Sequence, residues 1–308
     1  MAEAPPPFLS RWATFVAERF PLGSHLAMAG AFFAGNAAAA VELAGAELRP
    51  LPAVLGALAT LLIFLRLRIF DEIKDCRTDR DAHPERPLAR GLISPREAWR
   101  VALLLVGAEL LLALGCGLPA AAAWGAVFGF SLLMFREFFI GAWLRPKMEL
   151  YALAHTLVAG WMGLLVVAAV AGRFPWELPV RAWIFLVANW AVFNVFEFAR
   201  KTWAPEEERA GVESYSGRLR PAGAAALAMG QVLPAVAFAW PLLAGNAGRA
   251  AGLWAAALMA AVPAIAALLY VHSPVRACAR LYRGAMTLFI VGYYATLAAM
   301  VWGWRFVA

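Results

Sequence analysis

Charged residues are scarce in this sequence. Only 15% of its 308 residues are charged and 63% are hydrophobic, whereas soluble domains carry about 25% charged and about 45–50% apolar residues. This deficit argues against a soluble enzyme, and the high hydrophobicity excludes an intrinsically disordered chain. The three cysteines are too few and too scattered for a disulfide scaffold.

The net charge of +7 and the pI near 9.8 raise the question of nucleic-acid binding. Such binding requires basic residues on a solvated domain or tail, and no such domain is visible in the sequence. The apolar residues come instead in runs of about 20, the length that a helix needs to cross a hydrocarbon core of about 30 Å. We therefore expect an integral membrane protein that does not bind nucleic acid.

Nine apolar runs predict an all-α polytopic membrane protein, a bundle of nine transmembrane helices. The predicted spans are 24–46, 50–70, 97–116, 118–136, 150–172, 180–200, 223–244, 249–270 and 284–306. The segment 1–23 is rich in proline and then amphipathic, which is typical of a helix lying in the membrane interface. We expect one domain over residues 24–308 and no second, soluble domain.

Lys and Arg residues are distributed very unequally between the two sides of these spans. All but five of the 27 lie near the N-terminus or in the connections after spans 2, 4, 6 and 8. Basic residues are retained on the cytoplasmic side of a membrane. The distribution therefore predicts a bacterial-type inner-membrane protein with a cytoplasmic N-terminus, cytoplasmic polar loops and a C-terminus on the opposite side.

All four aspartates of the chain lie within eleven residues that follow the second span. Asp71, Asp75 and Asp79 are four residues apart, so on a continuous helix they lie along one face. Carboxylates stacked at a helix C-terminus repel each other and oppose the helix dipole. Oxygen ligands without His or Cys favour Mg²⁺, which proteins usually hold with one or two carboxylates and substrate phosphates. The pattern predicts that these three aspartates are catalytic metal ligands.

Basic residues are interleaved with these aspartates and follow them. Lys74, Arg86 and Arg90 are candidates to bind the oxygens of a diphosphate. The alternative is a solvated polar loop whose acidic and basic side chains pair with one another. The concentration of every aspartate at one membrane edge favours the binding site, because solubility alone does not require it.

The same stretch resembles the first motif of the UbiA superfamily of intramembrane prenyltransferases. Asp71-x3-Asp75-x3-Asp79, followed by Arg86-Pro87-Leu88 and Gly91-Leu92-Ile93-Ser94, is similar to that family's Asn-x3-Asp-x3-Asp, Arg-Pro-Leu and Gly-x-Ile-Ser. Asp71 stands where the family usually has Asn. The resemblance implies a nine-span all-helical bundle with a second acidic motif after span 6.

The loop after the sixth span departs from the family's second motif, because its usual Asp-x3-Asp pair is absent. Glu197, Glu206 and Glu207 are the candidate replacements, with Glu197 and Glu207 the expected ligands of a second metal. Glu207 precedes Gly211 by four residues, as in the family's segment. Arg200 and Lys201 are expected to bind the diphosphate. The alternative is a charged helix end in which Glu197 pairs with Lys201 at i, i+4.

Three further residues are candidates for the site. His155 lies within the fifth span, where it is placed to orient an acceptor or accept a proton; the alternative is a hydrogen bond between helices. Arg145 and Lys147 precede that span, and the resemblance implies that basic residues there face the diphosphate. The alternative for these two is an ordinary cytoplasmic membrane anchor.

The resemblance implies a transferase of isoprenoid biosynthesis. We expect a Mg²⁺-dependent prenyltransferase that ionises an allylic polyprenyl diphosphate at the cytoplasmic rim and transfers the prenyl group to a small aromatic or lipid acceptor. An intramembrane terpene cyclase with the same ionisation site is one alternative. A divalent-cation transporter is an alternative of another class, although transporters place their acidic residues near the bilayer midplane.

Overall fold

The computed structural model describes residues 6–209, 211–245 and 248–303. Over these ranges the chain is helical, with short connections and no strand. Nine helices in the described part are long and apolar enough to cross a membrane, which confirms the all-α, nine-span prediction. Residues 1–5 of the predicted interfacial segment and 304–306 of the predicted ninth span lie outside the described residues.

The helices follow one another in the chain with few residues between them. They are α1 (Phe8–Arg19), α2 (Leu22–Ala44), α3 (Pro50–Ala82), α4 (Pro95–Cys116), α5 (Leu118–Phe135), α6 (Gly141–Leu144), α7 (Met148–Thr156), α8 (Val158–Ala171), α9 (Val180–Arg200), α10 (Tyr215–Phe238), α11 (Trp240–Leu243), α12 (Gly248–His272) and α13 (Arg276–Trp302). Helices α7 and α8 together form the fifth span. The spans are therefore α2, α3, α4, α5, α7 with α8, α9, α10, α12 and α13.

Two spans begin about eight residues before their predicted starts, α10 at Tyr215 and α13 at Arg276. Both added segments carry arginines, so hydropathy detects only the apolar remainder of each helix. In α10 the helix is interrupted at Arg220, whose φ is +61°. The interruption precedes Pro221, and proline disfavours the helical conformation of the residue before it.

Helix α3 is much longer than a membrane requires. Its 33 residues extend about 50 Å at 1.5 Å per residue, against a hydrocarbon core of about 30 Å. No glycine or proline interrupts residues 57–83, and the helix ends at Ala82 because Pro84 disfavours a helical conformation at His83. The aspartates therefore lie on a helix that projects beyond the apolar part of the span.

Helix α1 packs against this projecting end of α3 and the start of α4. Phe15 is fully buried in a cluster of apolar residues from all three helices. Two ion pairs reinforce the contact, Arg19 to Glu72 at 2.6 Å and Arg11 to Glu97 at 2.8 Å. The N-terminal helix and the aspartate-bearing end of α3 therefore lie at the same end of the molecule.

The spans divide into central and peripheral helices. More than half of the apolar segment of α2, of α9 and of the fifth span is buried inside the protein, whereas α4, α5, α10 and α12 bury between a fifth and a third of theirs. The peripheral helices present leucines such as Leu104 and Leu111 on their outer faces. The interior of the bundle is therefore built by the first, second, fifth, sixth and ninth spans.

Candidate functional site

A polar cleft of about 320 Å³ opens at the projecting end of α3. It lies between α3, the connection that precedes α7, α7 itself, the end of α9 and the loop that precedes α10. Most of its lining side chains are ionisable or hydroxyl-bearing. The lining residues are Lys74, Asp75, Thr78, Glu137, Arg145, Met148, Tyr151, Ala152, Glu197, Lys201, Glu213 and Tyr215.

A smaller cavity of about 10 Å³, enough for about one water molecule, lies deeper along α3. We call it the deep cavity. Lys74 lines both this cavity and the polar cleft, so the two are neighbours. The deep cavity is lined by Leu67, Phe70, Asp71, Lys74, Ser131, Met134, Phe135 and His155. Asp71 therefore faces the interior of the bundle, one helical turn below Asp75.

Lys74 connects α3 to α7 across the cleft. Its Nζ donates a hydrogen bond of 3.0 Å to the Oη of Tyr151 and lies 5.7 Å from the centre of that ring. The ring of Tyr151 stacks on the imidazole of His155 with 3.9 Å between ring centres. One continuous set of polar side chains therefore runs from the cleft to the deep cavity.

His155 has one partnered and one free ring nitrogen. Its Nδ1 lies 2.7 Å from the carbonyl oxygen of Tyr151, and because a carbonyl only accepts, this nitrogen is the donor. Its Nε2 is buried and has no hydrogen-bond partner among the described residues. The ring thus presents an acceptor nitrogen while its orientation is held by the backbone of its own helix.

Asp79 lines neither the polar cleft, as Asp75 does, nor the deep cavity, as Asp71 does, in contrast to the sequence-based expectation. Both of its carboxylate oxygens accept hydrogen bonds from Nη1 of Arg86, at 2.7 and 2.8 Å. The reason is helix geometry: eight residues at 3.6 per turn rotate Asp79 by about 80° away from Asp71. Thr78, about 20° from Asp71, takes the position facing the cleft. The predicted roles of Asp79 in metal binding and Arg86 in diphosphate binding are therefore not supported by their placement.

Arg90 also lies away from the cleft. Its guanidinium binds both carboxylate oxygens of Glu18 on α1, each at 2.9 Å. These hydrogen bonds lower the pKa of the Glu18 carboxyl below its ordinary value. Arg90 therefore attaches the first loop to α1, and its predicted contact with a diphosphate has no support from its position.

The end of α9 contributes Glu197 and Lys201 to the cleft. Glu197 pairs with Arg200, which donates at 2.5 and 2.7 Å to its two oxygens, and not with Lys201 as the charged-helix alternative proposed. Burial lowers the pKa of the Lys201 ammonium, and the adjacent Arg200 charge acts in the same direction. The cleft therefore holds an ammonium group that an anionic ligand would stabilise.

The three consecutive glutamates of the second loop point elsewhere. Glu207 accepts from both terminal nitrogens of Arg283 on α13, at 2.8 and 2.9 Å, and this interaction lowers the pKa of its carboxyl. Glu206 accepts from the backbone N–H of Arg276, and Glu208 accepts from the hydroxyl of Ser214. The metal-ligand role predicted for Glu207 is therefore not supported, because its carboxylate fastens the loop to α13.

Glu213 is the loop carboxylate that lines the cleft, and it was not among the residues selected from the sequence. It follows Gly211, whose φ of +77° turns the chain, and precedes Tyr215, whose backbone N–H donates at 2.9 Å to the carbonyl of Lys201. This turn directs the loop back toward the end of α9. No periodic pattern marks Glu213, since it lies in a loop.

Glu137 is a second carboxylate of the cleft that the sequence did not indicate. It lies in a tight turn after α5, where Glu137, Phe138 and Phe139 all have positive φ. Its Oε2 accepts from Nε of Arg145 at 2.6 Å. A Cβ at position 141 would lie 2.2 Å from that same oxygen, so a larger residue there would displace the carboxylate. The predicted cleft residue Arg145 is present, but it is already paired.

Lys147, the other basic residue predicted before the fifth span, lies outside the cleft. Its Nζ is 3.1 Å from the ring centre of Trp143 and donates to the carbonyl of the same residue. This contact is typical of a basic residue at a membrane interface. The placement supports the membrane-anchor alternative for Lys147.

The carboxylates of the cleft suit a metal ion that also binds phosphate oxygens of a substrate. Within residues 6–209, 211–245 and 248–303, no group of three or more His, Cys, Asp or Glu side chains is arranged to hold a metal ion. Mg²⁺ differs from other metals in this respect, since proteins usually bind it with one or two carboxylates, water and substrate phosphates. Asp75, Glu197 and Glu213 provide such carboxylates in one cleft.

Solved structures with a similar fold include a membrane synthase and two UbiA homologues. Digeranylgeranylglyceryl phosphate synthase has a TM-score of 0.62 and 16% identity, with 95% of this chain and 99% of that chain covered. A UbiA homologue from Aeropyrum pernix K1 has a TM-score of 0.63 and 19% identity, covering 86% and 96%. A UbiA homologue from Archaeoglobus fulgidus, bound to DMAPP and Mg²⁺, has a TM-score of 0.54 and 16% identity, covering 90% and 99%.

The sequence comparisons agree with the fold. A comparison with curated proteins gave no match. The sequence does match the UbiA prenyltransferase family over residues 26–292, which includes all nine spans in whole or in large part. From this match we conclude that the chain belongs to the UbiA prenyltransferase family.

Proposed function

We propose that this protein is a Mg²⁺-dependent intramembrane prenyltransferase, an enzyme that transfers an alkyl group larger than methyl. Its donor substrate is an allylic polyprenyl diphosphate, and its acceptor is a small aromatic compound or a lipid. The observation that carries the proposal is the polar cleft, in which carboxylates and cationic side chains meet directly above an apolar helical bundle. The A. fulgidus homologue with bound DMAPP and Mg²⁺ supports the same assignment.

The charge of the cleft favours a diphosphate accompanied by a divalent cation. Three cationic side chains, Lys74, Arg145 and Lys201, line it together with four carboxylates: Asp75, Glu137, Glu197 and Glu213. This excess of acid disfavours a diphosphate on its own. With Mg²⁺ present, the carboxylates bind the metal and the ammonium groups bind phosphate oxygens, so both sets of charges are neutralised.

Different residues take the two roles in our proposal. Asp75, Glu197 and Glu213 would supply carboxylates to a Mg²⁺ ion whose coordination is completed by water and by the diphosphate itself, with Asp71 one turn deeper on α3. When bound there, Mg²⁺ supplies Lewis acidity that withdraws negative charge from the departing diphosphate. Lys74 and Lys201 hold the phosphate oxygens, and Arg200 at the end of α9 adds positive charge beside Glu197.

The prenyl group extends from the cleft toward the deep cavity in this proposal. The walls there are largely apolar, with Phe70, Met134 and Phe135 around Asp71. Apolar walls of this kind hold few water molecules, so an allylic cation is protected from hydrolysis there. The free Nε2 of His155 is placed to orient an acceptor or take its proton.

We place the cleft on the cytoplasmic side of a bacterial-type inner membrane. Helix α1, the first loop and the second loop lie at one end of the protein, and most of the basic residues lie in these segments. The basic side faces the cytoplasm, so the N-terminus is cytoplasmic and the C-terminus is on the opposite side. Reporter fusions to the two termini test this orientation directly.

Diphosphate release from a radiolabelled allylic diphosphate tests the catalytic proposal. We expect Asp75→Asn to reduce Mg²⁺-dependent release by about a thousandfold, with normal folding by thermal unfolding in detergent. The matched control is Asp81→Asn, because Asp81 is exposed on the same helix and does not line the cleft. Full activity of the Asp75 variant would overturn the assignment of the site.

The two alternatives predict different outcomes. A terpene cyclase would convert the diphosphate to a cyclic product without an acceptor, and mass spectrometry of the lipid extract detects this. A divalent-cation transporter would show Asp75-dependent metal uptake into liposomes. The intramembrane carboxylate Glu109 does not favour transport, since its two oxygens are bound by Arg66 at 2.8 and 3.0 Å.

A further inference from the structure

Four aromatic rings lie in the interior of the bundle below the polar cleft. Phe64 on α3 and Phe193 on α9 stack with 6.1 Å between ring centres and an interplanar angle of 6°. The ring of Phe32 on α2 meets both of them edge-on, at 6.0 and 5.8 Å, and meets the ring of Tyr294 on α13 at 5.1 Å. Helices of the first, second, sixth and ninth spans therefore contribute to one layer, which we call the aromatic floor.

The aromatic floor lies directly beneath the acidic side chains of the cleft. On α3, Phe64 precedes Asp71 by seven residues, which places the two on the same helix face about 10 Å apart along the axis. On α9, Phe193 precedes Glu197 by one turn. Leu67, between Phe64 and Asp71, lines the deep cavity. The α3 face that carries the acidic residues therefore continues downward to the aromatic floor.

A layer of buried polar side chains supports the floor from below. Asn36 lies one turn from Phe32, and Asn189 lies one turn from Phe193. Asn189 donates to Oδ1 of Asn36 at 2.7 Å, and the hydroxyl of Tyr294 donates to Oδ1 of Asn189 at 2.8 Å. All three of these polar side chains are fully buried, so this layer fixes the rings above it.

Helices pack closely against one another below the floor. A Cβ at Gly163 on α8 would lie 2.1 Å from Nδ2 of Asn189. A Cβ at Gly35 on α2 would lie 2.6 Å from Cδ1 of Tyr294. Small residues at helix contacts allow such close approach of the backbones. The first span therefore packs closely against the ninth, and the fifth span packs closely against the layer of Asn36, Asn189 and Tyr294.

From this arrangement we infer that Phe64 and Phe193 set the maximum length of the prenyl group, and that the substrate is a short allylic diphosphate of at most two isoprene units. Each unit lengthens an extended chain by about 5 Å at ordinary carbon–carbon bond lengths. Asp71 is exposed and Phe64 is only partly buried, and their levels lie about 10 Å apart along α3, a distance that corresponds to about two units. This inference rests on the proposed function, because it concerns the tail of the same diphosphate.

Binding of inert substrate analogues tests the inference without an acceptor. The probes are S-thiolodiphosphates with dimethylallyl, geranyl, farnesyl and geranylgeranyl tails, titrated with Mg²⁺ against the full-length protein in nanodiscs. We expect the wild-type protein to bind the two shorter probes. Its dissociation constant for the farnesyl probe should be at least about ten times that for the geranyl probe. Phe64→Ala and Phe193→Ala should remove this penalty and leave dimethylallyl binding unchanged.

A substitution in the opposite direction separates a length limit from general damage to the fold. Phe64→Trp places a larger ring in the floor. It should weaken binding of the geranyl probe by about tenfold relative to binding of the dimethylallyl probe. Phe238→Ala is the matched control, since Phe238 is 37% exposed at the other end of α10, and it should leave the length profile unchanged.

The outcomes distinguish a failure of the length limit from a failure of the proposed function. Equal wild-type binding of all four probes, or a length profile that is the same in both alanine variants as in wild type, would show that the tail leaves between the helices, and the inference would be wrong. If no probe binds in a Mg²⁺-dependent manner, the proposed function fails and the length limit fails with it.

Discussion

The Nζ of Lys74 lies 3.0 Å from the Oη of Tyr151 and donates a hydrogen bond to it across the polar cleft. This contact joins the helix that carries the aspartates to the helix that carries His155. Lys74 also lines both the cleft and the deep cavity. It is therefore placed between the two regions that the proposed reaction uses.

We predict that Lys74→Met lowers kcat/KM for the prenyl diphosphate by about a hundredfold, because the developing charge on the leaving group loses a cation. Tyr151→Phe keeps the ring and removes only the hydroxyl, so its effect should be less than about tenfold. The matched control is Lys147→Met, since that lysine stacks on Trp143 outside the cleft. Steady-state diphosphate release measures all three. Equal losses at Lys74 and Lys147 would contradict the placement.

Glu213 and Glu207 provide a direct comparison within the second loop. Glu213→Gln should raise the Mg²⁺ concentration for half-maximal activity by about tenfold, because Glu213 lines the cleft. Glu207→Gln should leave the Mg²⁺ response unchanged, since that carboxylate binds Arg283. Mg²⁺ titrations of both purified variants measure the difference. A larger effect at Glu207 would restore the assignment that the sequence suggested.

His155→Asn should separate diphosphate cleavage from transfer to the acceptor. Because the free Nε2 of His155 is proposed to serve the acceptor, we expect cleavage to change little and transfer to fall by about a hundredfold. The ratio of prenylated product to released diphosphate measures this partition. If both steps fall equally, His155 supports the site through its stacking on Tyr151 and not through the acceptor.

The buried ion pair of Arg66 and Glu109 should dominate the stability of the second, third and fourth spans. Both side chains are fully buried, and the pair also bonds Ser131 and Trp124. Glu109→Gln leaves the guanidinium without its counter-charge and should cost about 3–5 kcal/mol. The double variant Arg66→Met with Glu109→Leu should recover much of that loss. Unfolding in mixed detergent micelles measures each value, and additive losses in the double variant would contradict the coupling.

The contact of Glu207 with Arg283 should make stability depend on pH in the acid range. The pKa of Glu207 is lowered from its ordinary value of 4.5, so the folded protein binds this proton less readily than the unfolded chain does. The contribution, about 1 kcal/mol for a partly exposed pair, is therefore complete above about pH 5 and is lost as the pH falls below 4.5.

Thermal unfolding of wild type and of Glu207→Gln between pH 3 and pH 7 checks this expectation. The difference between the two midpoints should be constant from pH 5 to pH 7 and should shrink at lower pH. A difference that is largest at low pH would have the wrong sign for a lowered pKa and would exclude this assignment.

Much of the architecture could be read from the sequence, since apolar runs of membrane-spanning length dictate a helical bundle whatever their packing. The absence of glycine and proline from residues 57–83 likewise determined that α3 continues past the membrane and carries the aspartates. The seventh and ninth spans begin at Tyr215 and Arg276, about eight residues before their predicted starts. Hydropathy missed these first helical turns because they are rich in arginine.

Which carboxylates share a cleft was decided only by the tertiary structure. Asp79 was lost from the expected set because a spacing of four residues drifts around a helix of 3.6 residues per turn. Glu213 joined the set and Glu207 left it because the path of a loop depends on contacts with distant elements, here Arg283 on α13. Such contacts join residues far apart in the chain, and no local pattern encodes them.

The sequence by itself determined the membrane location, the nine spans and the placement of the acidic helix, because these follow from local hydrophobicity and helix propensity. Only the tertiary structure decided at what depth below the polar cleft the aromatic floor lies. The stacking of Phe64 on Phe193 joins residues more than a hundred positions apart, and every span contains at least one aromatic residue. Their meeting depends on how the second and sixth spans pack, and that packing is a property of the whole bundle.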